Sequence, residues 1–217
     1  IAELDDKVAF RGRAERLGCL DALPRHFENW DDATYPCVVK LPTGEYGRSV
    51  RLARTEDAVP GILAEFRLTP EDLGTTCLAQ EHVPGAEEVA ASLLVRDGAV
   101  LDVIRTTYTY NCDVYAWPHG CWERKEARVV DSLLPAAHLR TLAALLVDFS
   151  GICCFNYKER GDGSLAIFEC NVRMGADLAC DVPRDRCRLF LERLDGSLPP
   201  SPLRDGYEEE PAPVPLF

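Results

Sequence analysis

The sequence predicts an α+β protein in which antiparallel strands, joined by tight turns, are accompanied by a few helices. Two turn signals carry this expectation. Asp97-Gly98 separates two apolar strands and is a strong hairpin signal, and a glycine-containing turn spans residues 42–48 between two further strands. Residues 135–148 repeat apolar side chains at helical spacing, so this stretch predicts a helix.

The first part of the chain predicts one helix followed by short strands. Residues 3–18 suit a helix because Asp5 and Asp6 can cap its start and Gly18 ends the pattern. Runs rich in apolar and β-branched residues predict strands at 35–41, 49–53 and 76–83.

The remaining elements follow from the same signals. Thr55 and the acids after it begin a helix toward Phe66, in which Pro60-Gly61 predicts a break. Further strands are expected at 89–95, 99–108, 152–157 and from 165 onward, with an irregular loop at 111–126. A helix at 183–194 is followed by a Pro-rich, acidic stretch, 196–217, which predicts a loosely packed tail.

The composition limits the classes of function. The 217 residues suffice for one large domain or two small lobes. A net charge of −12 argues against a nonspecific nucleic-acid binder, which needs a basic surplus to neutralise phosphates. No apolar run reaches the length of a membrane span, and the first residues do not form a signal peptide, so we expect a cytoplasmic protein without a membrane partner. Because the chain starts at Ile1 and not at Met, we also expect a preceding segment.

The ten cysteines do not form a recognisable metal or disulfide pattern. There is no Cys-x-x-Cys, and Cys112, His119 and Cys121 have spacings that match no common zinc site. We therefore predict free, mostly buried thiols in a reducing compartment. The alternative is a metal-storage or redox role for the cysteine and histidine side chains.

The polar residues near the end of the chain form the most informative pattern. An apolar run from Leu165 to Phe168 predicts a strand that then carries Glu169, Asn171 and Arg173 at a spacing of two. Alternate residues of a strand share one face, so a carboxylate, an amide and a guanidinium are expected side by side. Carboxylate and amide oxygens are ligands that Mg²⁺ prefers, and a guanidinium can hold a phosphate or a developing oxyanion. The alternative is an amphipathic edge strand with a solvated polar face.

Several local signals along the chain fall in one order. They are Asp6-Lys7, then Val38-Val39-Lys40 with its glycine hairpin, then Gln80 to Gly85 with acids after it, and last Glu169-x-Asn171-x-Arg173. In this order they resemble the ATP-grasp superfamily, in the branch that contains biotin carboxylase, the carbamoyl-phosphate synthetase large subunit and D-alanine–D-alanine ligase. The resemblance covers about residues 3–195.

The resemblance implies two lobes whose antiparallel sheets clasp ATP between them. A leading helix within residues 1–19 would run into a small lobe at 20–84, which acts as a lid. A larger lobe with the metal site would span 85–195, before the tail at 196–217. Part of the expected enzyme, an N-terminal lobe of the same chain, would precede this sequence.

The resemblance also implies which residues contact ATP. Lys7, a surface lysine when judged by its sequence alone, would reach the nucleotide, and Lys40 would lie close to the phosphates. The loop from Gly44 to Gly47 would close over them. The adenine would be read at the hinge, residues 81–83, by Glu81, His82 and Val83, largely through their backbone groups. The ribose would be held by Glu87 or Glu88, of which Glu87 fits the common Gly-x-Glu spacing.

The metal ligands implied by the resemblance are Glu169, Asn171 and Asn156. Asn156 is a departure, since the family usually has a carboxylate there, and its amide oxygen can ligate Mg²⁺ but brings no charge. Arg173 would stabilise a reacting acyl phosphate, so Arg173 and Lys40 are the expected catalytic residues.

The function implied is an ATP- and Mg²⁺-dependent ligase, with Mn²⁺ as an alternative ion. It would phosphorylate a small-molecule carboxylate to an acyl phosphate and join it to an amine or similar nucleophile. An alternative is a nucleotide-binding module without turnover of its own, because Asn156 replaces an acid and the N-terminal lobe is missing.

Overall fold

The computed structural model of this chain describes residues 2–44, 47–115 and 121–201. Within these residues it shows helices together with two antiparallel sheets, which confirms the predicted α+β class. Three parts of the predictions lie outside the described residues: positions 45–46 of the hairpin tip, 116–120 of the predicted loop, which include His119, and 202–217 of the predicted tail.

A small sheet forms from the first three strands, β1 (Cys37–Lys40), β2 (Val50–Ala53) and β3 (Leu78–Glu81). Their order is β2-β1-β3, and both pairings are antiparallel. One face packs on helix α3 (Val59–Phe66) around Val39 and Ala79. Because side chains alternate along a strand, the other face presents Val38, Lys40 and Gln80, and this face borders a cleft.

A larger sheet forms from five strands: β4 (Glu87–Arg96), β5 (Ala99–Thr109), β6 (Val129–Asp131), β7 (Gly151–Glu159) and β8 (Leu165–Asn171). Their order is β6-β5-β4-β7-β8, and every pairing is antiparallel. The β4–β5 turn has the conformation that its sequence predicts, since Asp97 and Gly98 have φ of 50° and 77°.

Helices cover the larger sheet on both faces. On one face, α2 (Lys7–Arg16) and α4 (Ala136–Ala144) bury a core that includes Phe10, Leu142 and Phe155. On the other face, a π-helical turn, Asp177–Asp181, and helix α5 (Arg184–Leu194) cover Leu94 and Ile104. The rest of this second face is left to the cleft between the two sheets.

Two predicted helices differ in detail from the structure. The stretch predicted as one helix at 3–18 is split at Asp6 into α1 (Ala2–Asp5) and α2. The Asp6 carboxylate accepts hydrogen bonds from the N–H groups of Val8 and Ala9, so it caps the second helix. The break predicted at Pro60-Gly61 is wrong, because Pro60 lies in the first turn of α3, where a missing N–H costs nothing.

Two strand predictions also need correction. The short strand β6 lies inside a region that sequence patterns did not assign to a strand. The last strand ends at Asn171, so Arg173 lies beyond it and does not continue the alternation of Glu169 and Asn171.

The cysteine prediction is wrong for one pair. Cys112 and Cys121 form a disulfide with their Cα atoms 5.6 Å apart. The other eight cysteines are free, and five of them are buried. A nine-residue separation identifies no bridge by itself, because a disulfide depends on how close the fold brings the two Cα atoms.

Among the described residues, no helix has both the length and the apolar character needed to cross a bilayer.

Candidate functional site

A cleft of about 750 Å³ lies between the small sheet and the larger one. Most of the residues that the sequence singled out line it: Lys7, Lys40, Gly44, Gly47, Glu81, His82, Val83, Glu88, Asn156 and Glu169. Asn171 and Arg173 line an adjoining cavity that continues from the cleft. Glu87 lines neither cavity, so the fold brings together all but one of the predicted positions.

Two lysines approach the cleft from different elements. Lys7 is the first residue of α2, and its side chain is buried, with Nζ 2.8 Å from Oε2 of Glu169. Lys40 ends β1, and its Nζ lies 4.7 Å from the centre of the Phe168 ring. Both side chains line the cleft and are only 6–7% exposed. Two positive charges, one from each side of the cleft, therefore meet at one end of it, which we call the cationic wall.

The burial of these charges changes the acid–base properties of the wall. Burial lowers the pKa of Lys40 to about 8, although the nearby Glu169 carboxylate acts in the opposite direction. Burial alone would raise the pKa of Glu169, but the charge of Lys7, hydrogen bonds from Lys7 and Asn171, and the charge of Lys40 together hold it below its usual range. Glu169 is therefore an anion that neutralises part of a cationic wall.

The three predicted metal ligands meet at this wall. Asn156 and Glu169 are paired across β7 and β8. The Asn171 amide donates to Oδ1 of Asn156 at 3.2 Å and to Oε1 of Glu169 at 3.0 Å. Two oxygens from two strands thus converge on one point, and a rotated Asn171 amide would add its own oxygen there.

A β-bulge makes this geometry. Pairing shifts between Asn156 and Tyr157, which face Glu169 and Ile167, so Phe168 is an extra residue on β8. Phe168 and Glu169 therefore both face the cleft, while Ile167 and Cys170 face the core. The sequence pattern predicted strict alternation and did not reveal the role of Phe168.

Next to the hinge, the buried side chain of Gln80 also lines the cleft, and one of its two polar atoms has no partner. Gln80 is 3% exposed, its Nε2 lies 2.7 Å from Nε2 of His26, and its Oε1 has no hydrogen-bond partner. Burial lowers the pKa of His26 to about 3, so this ring is neutral. His82 also lines the cleft, and its Nε2 has no partner. Gln80 and His82 are two residues apart, and alternate residues of a strand share a face. This spacing could have identified Gln80 as a residue of the cleft.

The carboxylate of Glu81 forms hydrogen bonds within the protein, which agrees with a contact to adenine through its backbone. Its Oε1 accepts hydrogen bonds from the Arg25 N–H at 3.1 Å and from the Arg160 guanidinium at 2.8 Å. The Glu81 carboxylate therefore connects the hinge to the turn between β7 and β8. The backbone groups of Glu81 are the ones available to a ligand in the cleft.

Lys158 is a site residue that the sequence did not indicate. Its ammonium group is 5% exposed and donates to the carbonyl oxygens of Val83 at 3.1 Å, Gly85 at 2.5 Å and Asp113. It lies two residues after Asn156 on β7, so it shares the cleft face. Lys158 thus fastens the hinge and the segment after β5 to the floor of the cleft.

The structure separates the two candidates for ribose contact. Glu88 lines the cleft, and burial raises its pKa to about 7 despite the positive charge of Lys158. Glu87 is exposed, because neighbouring residues of β4 point to opposite faces. Of the two candidates, Glu88 is therefore the one whose side chain lines the cleft, and the ribose contact itself stays a prediction.

The hairpin tip requires a glycine where it meets the cleft. Gly44 has φ of 154°, and a Cβ there would lie 2.0 Å from Oγ of Ser49. Any other residue would displace the tip from the wall that carries Lys40.

No protein-family model matches this sequence, and no curated protein matches it. Solved structures do match it. An L-amino acid ligase from Bacillus licheniformis aligns with a TM-score of 0.56 at 17% identity, over 82% of this chain and 42% of that chain. The biotin carboxylase of Campylobacter jejuni, in its beta-gamma-ATP complex, aligns with a TM-score of 0.56 at 13% identity, over 91% and 47%.

A third structure is the biotin carboxylase domain of the Hydrogenobacter thermophilus 2-oxoglutarate carboxylase, in complex with MgADP, ADP and bicarbonate. It aligns with a TM-score of 0.52 at 14% identity, over 89% of this chain and 46% of that chain. The chain thus spans about half the length of the solved structures that it matches. At this level of identity the likeness establishes architecture and leaves activity to be argued from the site. The chain has the ATP-grasp fold, as its ordered motifs predicted.

Proposed function

We propose that the cleft binds ATP with Mg²⁺, and that this chain is the nucleotide-binding part of a ligase that joins a carboxylate to an amine. One observation carries the proposal: Lys7, Lys40 and Glu169 meet on one wall of a cleft whose other end is the hinge. Support comes from the fold and from two neighbours solved with beta-gamma-ATP or MgADP.

The cationic wall suits a phosphate chain. Phosphoryl transfer proceeds through a loose transition state with charge on the phosphate oxygens, so catalysis consists mostly of positioning and charge neutralisation. Lys7 and Lys40 are held in place by burial and by Glu169, and their ammonium groups would bind the phosphates. The Gly44 turn lies close enough for backbone N–H groups to cover the same anions.

The hinge suits a purine base. The unpartnered Oε1 of Gln80 is an acceptor for an amino group, and the backbone of residues 81–83 borders the cleft. Glu88 also lines the cleft, and its carboxylate would accept hydrogen bonds from the ribose hydroxyls.

The metal donor set fits Mg²⁺ in type but carries little charge. Glu169, Asn156 and Asn171 would hold the ion with oxygens, of which only Glu169 is charged. Among the described residues, there is no group of three or more His, Cys, Asp or Glu side chains that could hold a metal ion. The ion would neutralise phosphate charge, and the protein groups would orient it.

The proposed reaction has two steps. In the first, a carboxylate oxygen attacks the γ-phosphorus, the bond to the β,γ-bridging oxygen breaks, and ADP leaves. In the second, an amine nitrogen attacks the acyl carbon, phosphate leaves, and the nitrogen loses a proton. Arg173 lines the adjoining cavity and would bind the acyl phosphate oxygens between the two steps.

Calorimetric titration of the 217-residue chain with ADP, with and without Mg²⁺, tests the nucleotide site. We expect binding that strengthens with Mg²⁺, and Glu169→Gln should abolish the metal dependence. Glu126→Gln removes an exposed carboxylate elsewhere and serves as the control. Absence of ADP binding by the wild-type chain would contradict the proposal.

A second candidate function is nucleotide binding without turnover. It is favoured by Asn156, which leaves the metal donor set with one charge. Asn156→Glu discriminates the two, because restoring a carboxylate should tighten Mg²⁺ binding in the presence of ADP. ATP turnover by the wild-type chain would exclude this second candidate.

A further inference from the structure

We propose that the cavity beside the nucleotide cleft is the acceptor site, and that it takes a primary amine which enters as a cation, carries an apolar or aromatic group and has no carboxylate. The role of the amine as an acceptor substrate rests on the proposed ligase function. The binding of a cationic amine is argued from the cavity itself.

The cavity is large and continues from the cleft. It holds about 1560 Å³ of empty space, part of which is open solvent, and its wall includes Glu88, Asn156 and Glu169, which also line the nucleotide cleft. Beyond these it extends over β5 and the π-helical turn. A molecule in it would therefore lie beside the lysine and Glu169 wall where the γ-phosphate is expected.

One side of the cavity is aromatic. The rings of Tyr108 and Tyr110 are stacked with centroids 6.3 Å apart, and Tyr115 follows at 5.2 Å from Tyr110. Trp122 also lines the cavity and is 65% exposed. Aromatic faces attract cations, and a large exposed ring at a concave surface marks a binding region.

The charges that line the cavity are mostly negative. Five carboxylates face it, against the single arginine Arg173 among its described lining: Glu88, Glu123, Glu169, Asp177 and Asp181. Three of the five have cationic partners, since Arg128 contacts both Glu123 and Asp181 at 2.6 Å and Lys7 contacts Glu169.

Asp177 is the buried exception. The residue is 2% exposed, and within the described parts of the chain its carboxylate accepts hydrogen bonds from two neutral donors, the Ser92 hydroxyl at 2.8 Å and the Cys154 thiol at 3.6 Å. No cationic side chain in the described residues forms an ion pair with it. A buried carboxylate without a counter-charge is unfavourable, and a bound ammonium group would supply that charge.

Local backbone geometry is built around this carboxylate. A Cβ on Gly175 would lie 2.1 Å from Oδ1 of Asp177 and 2.9 Å from Sγ of Cys154. Only a glycine lets the chain close over Asp177, so the segment from Arg173 to Asp177 is shaped to hold this acid at the cavity wall.

These features select among acceptors. An amine is protonated near neutral pH and meets both the aromatic wall and the unpaired acid. An acceptor with its own carboxylate would add a negative group to a cavity in which Asp177 already has no cationic partner, and an alcohol would leave Asp177 without a counter-charge.

The test uses 2-phenylethylamine as the probe, titrated calorimetrically into the 217-residue chain with and without saturating ADP. We expect the amine to bind at least about tenfold more tightly than its neutral isostere 2-phenylethanol and than L-phenylalanine, which adds a carboxylate. Equal or tighter binding of either comparison ligand would overturn the proposal, as would direct competition between the amine and ADP.

Two variants locate the site. Asp177→Asn should weaken amine binding about tenfold and leave ADP affinity unchanged, whereas the matched change Asp185→Asn, at an exposed position, should alter neither. Because Asp177 is buried, Trp122→Ala provides a surface change that should also weaken the amine and not ADP. Undiminished amine binding in both variants would overturn the site.

The outcomes separate this inference from the proposed function. Amine binding without any ADP binding would support the cation site and overturn only the nucleotide role. ADP binding without binding of this amine class would overturn the inference and leave the nucleotide role intact.

Discussion

Nζ of Lys7 lies 2.8 Å from Oε2 of Glu169, and this contact joins the first turn of α2 to the last strand of the larger sheet. The backbone N–H of Lys7 also donates to the Pro42 carbonyl at 3.0 Å, beside the hairpin tip. One residue near the start of the chain therefore connects α2 to the larger sheet and to the hairpin of the small sheet, and Glu169 has a positive partner without any ligand.

Replacing Lys7 by methionine should weaken ADP binding by about tenfold or more, because a charge-assisted hydrogen bond to a phosphate is lost. Isothermal titration of the variant with ADP measures the change. Arg16→Met is the matched control, since Arg16 lies on the same helix and pairs with Glu3 at the surface. Equal losses in the two variants would show that the effect of Lys7 is not local to the cleft.

The sequence predicted those features that depend on short spacings. Glu169 and Asn171 are two residues apart on a strand, so their shared face follows from strand geometry. The strand that carries Lys40 and the turn at Asp97-Gly98 likewise follow from local propensity. These features were sufficient to predict the fold, and the binding roles of the residues stay predictions.

What the sequence did not predict depends on register and on distant packing. The bulge that turns Phe168 toward the cleft is one extra residue in a pairing, which no local pattern reveals. The choice between Glu87 and Glu88 depends on where the strand begins relative to the turn. Lys158 binds carbonyl groups far away in sequence, and the Cys112–Cys121 bridge depends on a distance that only the fold sets.

Glu88→Gln should weaken ADP binding by about threefold to tenfold at pH 8, and Glu87→Gln should leave it unchanged. The two residues are neighbours with the same side chain, so each is the control for the other. Burial raises the pKa of Glu88 to about 7, and its carboxyl is therefore neutral below pH 7 and charged above it. The difference between wild type and Glu88→Gln should shrink at pH 6. A larger effect from Glu87→Gln would restore the assignment that its spacing favoured.

Lys158→Met should lower the free energy of unfolding by about 1–3 kcal/mol, because three carbonyl oxygens lose a buried donor. Urea denaturation gives this value. Adenosine affinity should also fall, since the hinge carbonyls and the segment at Asp113 are no longer fastened together. Lys125→Met removes one exposed charge and should do neither. A loss of stability with unchanged adenosine affinity would limit Lys158 to a structural role.

The disulfide predicts a definite thiol count. The unfolded, unreduced chain should react with a thiol reagent at eight cysteines, and at ten after reduction, as mass spectrometry can measure. Serine at both Cys112 and Cys121 should lower the free energy of unfolding by about 2–3 kcal/mol, because the bridge restrains the unfolded chain. Ten reactive thiols before reduction would show that the bridge does not form in solution.

The pH dependence of nucleotide binding should report on Lys40. Burial lowers its pKa to about 8 from an ordinary value of 10.5, so the free protein loses this charge as pH rises through 8. A bound phosphate raises the pKa again, so ADP affinity should fall by about tenfold from pH 7.5 to pH 9. Adenosine is the control ligand, because it has no phosphate and should bind equally across this range. Calorimetry with both ligands between pH 7.5 and 9.5 measures the difference. Parallel pH profiles for ADP and adenosine would show that Lys40 does not face the phosphates.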